Sequence, residues 1–289
     1  MICELCPRRC GAERTETVSG GVCRMPAAPV IARAALHRWE EPVISGSRGS
    51  GTVFFSGCNL RCSFCQNGDI SHGGFGKTVT VERLREIFQE LIAQGAHNIN
   101  LVTPTHFTPW ILEALEPQPT VPVVWNCGGY ERTETLELLR GKVQIYLPDF
   151  KYMDANLARD LSGAADYPEV ALTAIRAMAD QTGPCVIRNG IMERGVIIRH
   201  LVLPGQLDNT RRVIDAVAEH FRSGEVLFSL MSQYTPQPGA QGLLARHVTR
   251  AEYRAATEYM INCGLTEGFT QERTSAREEY TPPFDLSGV

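Results

Sequence analysis

The sequence lacks the features that would place a protein in a membrane or direct it out of the cell. It contains no run of about 18 apolar residues, the length with which a helix crosses a bilayer. No apolar segment of a secretory signal follows the opening Met-Ile-Cys-Glu-Leu-Cys. We therefore expect a cytoplasmic protein with no membrane partner. Because the cytosol is reducing, clustered cysteines in such a protein are metal ligands or catalytic groups more often than disulfides.

An excess of positive charge is also lacking. The 28 lysine and arginine residues are outnumbered by 32 acidic residues, and the formal net charge at pH 7 is −4. Binding of nucleic acid without sequence preference depends on a basic excess, so we expect no nucleic-acid partner. Hydrophobic residues make up 43% and charged residues 21% of the 289 residues, which is typical of globular domains. This composition excludes a mainly disordered, collagen-like or coiled-coil chain.

Six short runs of β-branched and aromatic residues alternate with segments of helical spacing. The runs lie at residues 52–55, 98–102, 121–125, 143–147, 196–203 and 225–230. In the segment after a capping Thr80, apolar residues stand at positions 84, 87, 88, 91 and 92. Such alternation predicts an α/β fold with a parallel sheet and crossover helices. Six units fit an incomplete (β/α)6 TIM-like barrel or, alternatively, an open doubly wound sheet.

The chain divides into three predicted segments. Residues 1–50 contain four cysteines and no long periodic apolar segment, so we expect a small Cys-rich module that a bound metal stabilises. Residues 51–269 carry the alternating pattern and form the predicted barrel. Residues 270–289 predict an irregular C-terminal tail.

Seven of the ten cysteines fall into two clusters. Cys58, Cys62 and Cys65 have the spacing C-x3-C-x2-C on the loop after the first predicted strand. Ligand sites of both architectures lie at the C-terminal ends of the strands, so this loop has the position of an active site. Three thiolates match three corners of a cubane iron–sulfur cluster and leave one iron open, as a catalytic centre requires. Zinc is the weaker alternative, because the spacing fits no common zinc knuckle.

The string Gly-Cys-Asn-Leu-Arg-Cys-x-x-Cys-Gln-Asn at residues 57–67 resembles the radical S-adenosylmethionine (SAM) superfamily. It is most similar to the glycyl-radical-enzyme-activating branch, typified by pyruvate formate-lyase-activating enzyme, and the four-cysteine extension resembles an activase-like group of that branch. The resemblance extends from residue 50 to about residue 235 and implies the incomplete barrel. It also implies that Cys58, Cys62 and Cys65 ligate a [4Fe–4S] cluster whose open iron is chelated by SAM.

The resemblance also implies cofactor-binding residues. Phe64 would lie beside the adenine, with ordinary packing under the loop as a compatible alternative. His106 stands where many members carry the glutamate of a Gly-Gly-Glu stretch, and a neutral imidazole can accept a hydrogen bond from the SAM ammonium. The alternative for His106 is a structural histidine. Asn126 occupies a turn where activating enzymes can carry an aspartate that helps to hold a monovalent cation.

Charged and polar residues at the ends of later strands complete this set. Asp149 and Lys151 are two positions apart on an extended segment and face the same side. By the resemblance, Lys151 would pair with the SAM carboxylate and Asp149 with a hydroxyl or a cation; a surface ion pair is the alternative. Arg199 lies in an apolar strand, where it needs an anionic partner, and the cofactor carboxylate or ribose would serve. Gln233 and Tyr234, after the last strand, are candidate substrate contacts.

The N-terminal cysteines, Cys3, Cys6, Cys10 and Cys23, offer four thiolates, enough for a tetrahedral zinc site or a complete iron–sulfur cluster. Four ligands saturate either metal, so we expect a structural role. An auxiliary cluster that relays electrons is the alternative. The spacing matches neither a usual zinc motif nor a standard ferredoxin, so both metals stay open. A disulfide is a weaker alternative in a reducing cytosol.

Three functions are compatible with these residues. The resemblance favours an oxidoreductase that cleaves SAM into methionine and a 5′-deoxyadenosyl radical and then removes a hydrogen from a backbone glycine of a glycyl radical enzyme. Its electron donor would be a low-potential partner such as flavodoxin or ferredoxin. The second function is radical modification of a small molecule or of another peptide, which the missing Gly-Gly-Glu stretch and the added N-terminal module favour. The third, a non-enzymatic iron–sulfur or zinc protein, is disfavoured by the three-ligand cluster.

Overall fold

The computed structural model describes residues 2–271 and 282–289. Within them, ten β-strands form one sheet. The strands are β1 (Val30–His37), β2 (Ser50–Phe55), β3 (Lys77–Thr78), β4 (Ile99–Val102), β5 (Val123–Cys127), β6 (Ile145–Pro148), β7 (Val186–Arg188), β8 (Ile191–Leu201), β9 (Leu227–Met231) and β10 (Gly268–Thr270).

The sheet is mostly parallel. Its order is β10-β9-β8-β6-β5-β4-β2-β1-β3, with β7 paired to β8 outside this path. Strands β1, β3 and β7 are antiparallel to their partners, and the other neighbours are parallel. All six predicted strands are confirmed, as β2, β4, β5, β6, β8 and β9. Because they lie side by side in chain order with no reversal, the fold is the partial TIM-like barrel and not the doubly wound alternative.

Helices connect the parallel strands and cover the sheet. They are α1 (Pro42–Ser45), α2 (Gly68–Ser71), α3 (Val81–Ala93), α4 (Thr108–Ala114), α5 (Thr133–Leu138), α6 (Ala155–Ser162), α7 (Tyr167–Thr182), α8 (Leu207–His220) and α9 (Arg250–Asn262). Helix α3 begins as predicted, since the Thr80 side chain accepts a hydrogen bond from the backbone N–H of Arg83. No helix in the described parts of the chain is long and apolar enough to cross a bilayer.

The parallel strands are buried on both faces, because helices cover one face and the barrel interior holds the other. Trp125 and Ile198 belong to the large core that includes the helices. Their neighbours Val124 and Ile197 point to the opposite face and form a second, smaller core. Ile44 of α1 packs into that second core and is fully buried. The segment after β1 is therefore part of the barrel interior.

The sheet begins before the boundary expected at residue 51. Strand β1, within the segment 1–50, pairs along its length with β2. Its sequence, Val-Ile-Ala-Arg-Ala-Ala-Leu-His, contains three alanines, which have low strand propensity, so its pattern was not recognised as a strand. At the other end of the chain, the backbone N–H of Ala34 donates to Ser287 O at 2.8 Å, which places residues 282–289 along β1. Residues 272–281 of the predicted tail lie outside the described residues.

Candidate active site

The loop that follows β2, residues 56–67, carries the three predicted cluster ligands, and we call it the cluster loop. It leaves the C-terminal end of its strand, where the sites of parallel barrels are built. The backbone N–H of Gly57 donates to Ile70 O at 2.9 Å. Gly57 has a φ of +78°, and a Cβ at this position would lie 2.9 Å from the Cys23 carbonyl oxygen. Glycine therefore permits a close approach between this loop and the N-terminal segment.

The middle of the cluster loop is anchored on the turn after β5. Asn59 is buried and donates from Nδ2 to Tyr130 O at 2.8 Å. Leu60 lies against Gly128, where a Cβ would be 2.7 Å from Leu60 Cδ1. Asn59 and Leu60 thus fit against this turn, because Gly128 has no side chain in the space that the Leu60 side chain occupies.

Each thiol of the cluster loop accepts a hydrogen bond from the protein. Two donors are serine hydroxyls and the third is a backbone N–H: Ser162 Oγ to Cys62 Sγ at 3.0 Å, Ser71 Oγ to Cys65 Sγ at 3.2 Å and Leu60 N to Cys58 Sγ at 3.4 Å. Donors of this kind orient metal-bound thiolates and tune the metal. The loop therefore presents three sulfurs that are already supported as ligands.

The electrostatic setting of these thiols favours a bound cationic centre. Burial and the neighbouring Cys62 together raise the pKa of Cys58 to about 12. The pKa of Cys65 is raised by burial and by Cys62, while Ser71 and Lys151 act in the opposite direction. Neighbouring buried thiolates are unfavourable without positive charge between them, and metal binding supplies that charge while displacing the protons.

The donor set fits an iron–sulfur cluster better than a single ion. Among residues 2–271 and 282–289, no three His, Cys, Asp or Glu side chains are grouped around one metal ion. Zinc requires its ligands around one centre, whereas a cubane binds each thiolate to a separate iron and so keeps the sulfurs further apart. Three supported thiols without a fourth ligand match a [4Fe–4S] cluster with one open iron.

A cavity of about 850 Å³ opens beside the cluster loop. Its volume lies within the range of small-molecule sites, roughly 300–1,000 Å³. Most of the predicted site residues line it: Cys62, Phe64, Cys65, Asn126, Asp149, Lys151, Arg199 and Gln233.

Asp149 lies between the two predicted cations. Its Oδ1 accepts a hydrogen bond from Arg199 Nε at 2.9 Å, and its Oδ2 accepts one from Lys151 Nζ at 2.5 Å. Burial alone would raise the pKa of Asp149, but Arg199 and Lys151 hold it below its usual value, so the carboxylate is ionised. Burial alone would lower the pKa of Lys151, but Asp149 raises it above its usual value, so the ammonium stays charged.

Glu40 and Glu41, which the sequence analysis missed, also line the cavity. Glu40 Oε2 accepts a hydrogen bond from Arg199 Nη1 at 3.0 Å, and Asn126 Oδ1 accepts one from Arg199 Nη2 at 2.7 Å. The anionic partners that a buried arginine requires are therefore Glu40 and Asp149 of the protein itself. The sequence offered one signal, the need of Arg199 for a counter-charge, but nothing in it pointed to residues so far away along the chain.

Glu41 differs from Glu40 because part of its carboxylate lacks a partner. The residue is 7% exposed, and its Oε2 has no hydrogen-bond partner among the residues the structure describes. Burial raises the pKa of Glu41 to about 7, against the opposing effect of Arg199. A buried carboxyl with an unpartnered oxygen on a cavity wall can accept a hydrogen bond from a ligand.

Two of the predicted binding residues do not line the cavity. His106 is buried and donates from Nε2 to Ser56 O at 2.7 Å, and burial lowers its pKa to about 3, so its ring is neutral. Tyr234 is buried and donates from its hydroxyl to Leu244 O at 2.7 Å. Its ring centroid lies 6.3 Å from that of Phe64. His106 therefore lies outside the cavity wall, with its Nδ1 unpartnered among the described residues, and Tyr234 packs against Phe64.

The N-terminal cysteines lie in residues 2–28, which we call the N-terminal cysteine segment. Cys3, Cys6 and Cys23 are buried and Cys10 is exposed; none of them forms a disulfide or lines the cavity. Arg14 donates from Nη1 to Cys3 Sγ at 3.3 Å. Burial raises the pKa of Cys6 to about 12. The metal at these thiols stays a prediction.

Comparisons with known proteins agree with this geometry. The model of the radical SAM superfamily matches residues 52–217. An uncharacterised protein of Methanocaldococcus jannaschii is 32% identical over 270 residues, which cover 89% of this chain and 73% of that protein. The 7-carboxy-7-deazaguanine synthase of Methanothermobacter thermautotrophicus is 35% identical over 69 residues, 23% of this chain and 28% of that protein.

Solved structures share the fold. Streptococcus suis SuiB, bound to S-adenosylmethionine, has a TM-score of 0.55 and 14% identity over 77% of this chain and 50% of that one. A radical SAM methyltransferase from Sphaerobacter thermophilus has a TM-score of 0.52 and 16% identity over 77% of this chain and 66% of that one. The chain thus spans about half the length of SuiB. At such identities the likeness concerns the fold alone.

Proposed function

The chain belongs to the radical SAM superfamily, and from that premise we propose that it activates a glycyl radical enzyme by removing a hydrogen from a backbone glycine. The observation that carries the proposal is the cluster loop. Its Cys-Asn-Leu-Arg-Cys string resembles that of activating enzymes. Asn59 and Leu60 of this string seat the loop on the turn after β5, so the distinctive residues of the string have a defined structural task.

The family implies a [4Fe–4S] cluster and SAM, and the site fits both. When bound, they supply the reductive cleavage of SAM to a 5′-deoxyadenosyl radical, which takes the substrate hydrogen. The contribution of the chain is to hold Cys58, Cys62 and Cys65 in place. Ser162 and Ser71 keep two of these sulfurs oriented through their hydrogen bonds.

The charged residues of the cavity suit the polar groups of SAM. Lys151 carries a charged ammonium on the cavity wall and would bind the SAM carboxylate. Asp149 is ionised and would accept hydrogen bonds from the SAM ammonium or the ribose hydroxyls. Arg199 already balances Glu40 and Asp149, so its task is to hold Asp149 in position. Phe64 offers an aromatic wall for the adenine.

The remaining cavity wall supports a protein substrate. Its apolar members, Phe54, Val102, Leu201 and Met231, limit the water that could quench a reactive radical. Trp39 also lines the cavity and is 61% exposed, so the cavity continues to the protein surface. An extended segment with glycine at its reactive position could enter such a cavity, because glycine has no side chain to accommodate.

A second candidate function rests on Glu41. Its unpartnered Oε2 lies on the cavity wall as a hydrogen-bond acceptor that a polar side chain or an amine of a substrate could fill, whereas a glycine could fill it only through a backbone N–H. A small molecule or a different peptide with an amine or amide donor would satisfy that oxygen. This observation favours radical modification of such a substrate.

The proposal includes partners and a further metal. A low-potential donor such as flavodoxin or ferredoxin would reduce the cluster, since clusters of this type reach potentials far below most cellular couples. The N-terminal cysteine segment has four thiols, enough for zinc or an auxiliary cluster. Zinc would require these thiols to close around one centre, because no three of them are grouped around one ion among the described residues.

The proposed function is tested by anaerobic reconstitution of the wild type and of the triple variant Cys58→Ala/Cys62→Ala/Cys65→Ala. The matched control is Cys185→Ala/Cys263→Ala, which removes two partly buried cysteines outside both clusters. Iron, sulfide and zinc are measured, and 5′-deoxyadenosine is measured after addition of dithionite and SAM. We expect nucleoside from the wild type and the control and none from the triple variant. Metal retained by the triple variant identifies the N-terminal metal.

The substrate is tested with a glycine-loop peptide of a glycyl radical enzyme that carries deuterium at the glycine Cα. Deuterium in 5′-deoxyadenosine is the expected result. A wild-type enzyme that cleaves SAM yet transfers no deuterium from the peptide, or from the whole partner protein, would contradict activation and leave the Glu41-bound substrate as the better candidate.

A further inference from the structure

One arginine connects the N-terminal cysteine segment to the cluster loop. Arg8 lies between Cys6 and Cys10 in the sequence, and its guanidinium reaches across to the barrel. It donates to four backbone carbonyls in two separate stretches of chain: Asn59 O at 2.8 Å and Leu60 O at 3.5 Å in the cluster loop, and Ser162 O at 2.5 Å and Gly163 O at the end of α6. The side chain thus links three segments that are distant in sequence.

Both stretches adjoin the predicted ligand Cys62. Asn59 and Leu60 precede it in the cluster loop. Ser162, whose carbonyl accepts from Arg8, also donates from its hydroxyl to Cys62 Sγ at 3.0 Å. The carbonyls at the end of α6 carry the negative end of the helix dipole and lack helical partners, so a guanidinium is well suited to them. A shift of Arg8 would therefore change both the path of the loop and the hydrogen bond to the sulfur.

The position of Arg8 is itself fixed. Its guanidinium carbon lies 5.3 Å from the centroid of the Tyr130 ring. Tyr130 donates from its hydroxyl to Asp166 Oδ1 at 2.7 Å and stacks on Tyr167 with centroids 6.0 Å apart. Tyr130 also provides the carbonyl that anchors Asn59. Arg8 and the cluster loop are thus held by the same turn.

A second part of the cluster loop, at Gly57, also contacts the N-terminal cysteine segment. A Cβ at Gly57 would lie 2.2 Å from Met25 Cγ and 2.9 Å from the Cys23 carbonyl oxygen. The N-terminal cysteine segment therefore contacts the loop through Met25 and Cys23 at Gly57 and through Arg8 at Asn59 and Leu60. The segment acts on the loop at both ends of the stretch that contains Cys58.

We propose that Arg8 is a positioning residue for the cluster, and that through it the N-terminal cysteine segment holds the cluster loop and the Ser162 hydroxyl in register with Cys62. The inference rests on the proposed cluster at Cys58, Cys62 and Cys65. Only a planar guanidinium offers donors in the fork that four carbonyls require; a lysine ammonium is a single point of charge. Partners beyond the ligands typically change metal affinity or activity by 10–100-fold, and hydrogen bonds to sulfur tune the potential of a cluster.

The test compares R8Q and R8K with R9Q, because Arg9 is adjacent, equally charged and exposed. Each reconstituted protein is exposed anaerobically to an iron chelator, and the midpoint potential of its cluster is measured by EPR-monitored titration. We expect R8Q to lose iron roughly 10-fold faster or more than the wild type. Its potential should be lower, because the hydrogen bond to Cys62 is weakened. R8K should resemble R8Q, and R9Q should resemble the wild type.

The variant S162A separates positioning from a general loss of fold. It removes only the hydroxyl and leaves the carbonyl that Arg8 binds, so the potential should fall while the fold is retained. If Arg8 acts on the sulfur partly through Ser162, the shift in potential of the double variant R8Q/S162A should be smaller than the sum of the two single shifts. Should R8Q fail to fold, an unchanged potential in S162A would still overturn the inference.

Several outcomes contradict the inference. They are additive shifts in the double variant, full rescue by R8K, and equal iron loss from R8Q and R9Q. These outcomes leave the proposed function intact, provided that the wild type holds its cluster and cleaves SAM. A wild type that retains no iron at the three cysteines overturns both.

Discussion

The two cysteine clusters of this chain share a residue type and differ in nearly everything else. The sulfurs of the cluster loop follow a parallel strand and accept hydrogen bonds from Ser71, Ser162 and a backbone N–H, and two of their residues, Cys62 and Cys65, line a cavity with charged walls. The N-terminal cysteines lie outside that cavity, in a segment that begins before the sheet, and one of them is exposed. The difference teaches that the place of a thiol in the fold, more than its spacing, indicates whether it does chemistry.

The largest effect should come from the cysteines themselves. Cys62→Ser should abolish 5′-deoxyadenosine formation, because it removes a cluster ligand, whereas Cys10→Ser should retain most of it. The nucleoside is measured by chromatography after anaerobic reconstitution of both variants and the wild type. Equal loss in the two variants would break the comparison and favour the electron-relay alternative for the N-terminal cysteines.

The next effect concerns the charged wall of the cavity. Asp149→Asn leaves Lys151 and Arg199 without a shared counter-charge, so we expect SAM affinity to fall about 10-fold or more and the free energy of unfolding to fall by about 3–5 kcal/mol. Equilibrium binding and urea unfolding measure the two quantities. Asp208→Asn is the control, since its surface pair with Arg211 has an 87% exposed carboxylate, and such pairs contribute about 1 kcal/mol or less. Similar losses in both variants would show that Asp149 has no special role.

A smaller effect is expected at the turn that seats the cluster loop. Gly129 has a φ of +75°, and a Cβ there would lie 2.4 Å from the backbone oxygen of Asp149. Gly141 has a φ of +77° with open space around it. Gly141→Ala should cost about 1 kcal/mol of backbone strain. Gly129→Ala adds a backbone clash and should cost about 3 kcal/mol in the same unfolding assay. Equal losses of unfolding free energy in the two variants would mean that the turn can shift to accommodate the added Cβ and does not position the loop.

The smallest effect is a pH dependence. Burial raises the pKa of Glu41 from 4.5 to about 7, so the folded state binds this proton more tightly than the unfolded state. The stability contributed by the protonated group is present below pH 4.5 and is lost as the pH rises through about 7. As the pH rises from 5 to 8, the wild type should therefore lose about 2.5 kcal/mol of unfolding free energy that the variant Glu41→Gln retains. Urea unfolding at both values measures this, and parallel pH profiles for the two proteins would argue against a buried, poorly paired carboxyl.

Much of the barrel was predictable because its signals are local. The six parallel strands are buried on both faces and appear as short apolar runs, and the cap of α3 at Thr80 is visible in the sequence. Strand β1 was missed because its alanines carry little strand signal, although pairing with β2 stabilises it in the fold. Tertiary pairing therefore supplied what local propensity lacked.

Site residues were predictable where the chemistry of a single position is restrictive. They were less predictable where a residue acts through a partner that is distant in the sequence. Arg199 was recognisable because a buried cation needs an anion, yet Glu40 became visible as its partner only in three dimensions. His106 illustrates a second limit. Its position was matched to the glutamate of the family, but nothing in the sequence indicated that its ring donates a hydrogen bond to the Ser56 carbonyl. Arg8 also gave no signal beyond its charge.

The pair of carboxylates around Arg199 has a mechanical consequence for the cavity. Glu40 follows β1, Arg199 belongs to β8 and Asp149 follows β6, so two ion pairs connect three walls of the barrel. Moving any of these walls apart would break a buried ion pair, at a cost of about 3–5 kcal/mol. The width of the cavity at this level is therefore set before any ligand arrives. Binding then requires little reorganisation here, and ligands are selected by their fit to a preorganised opening.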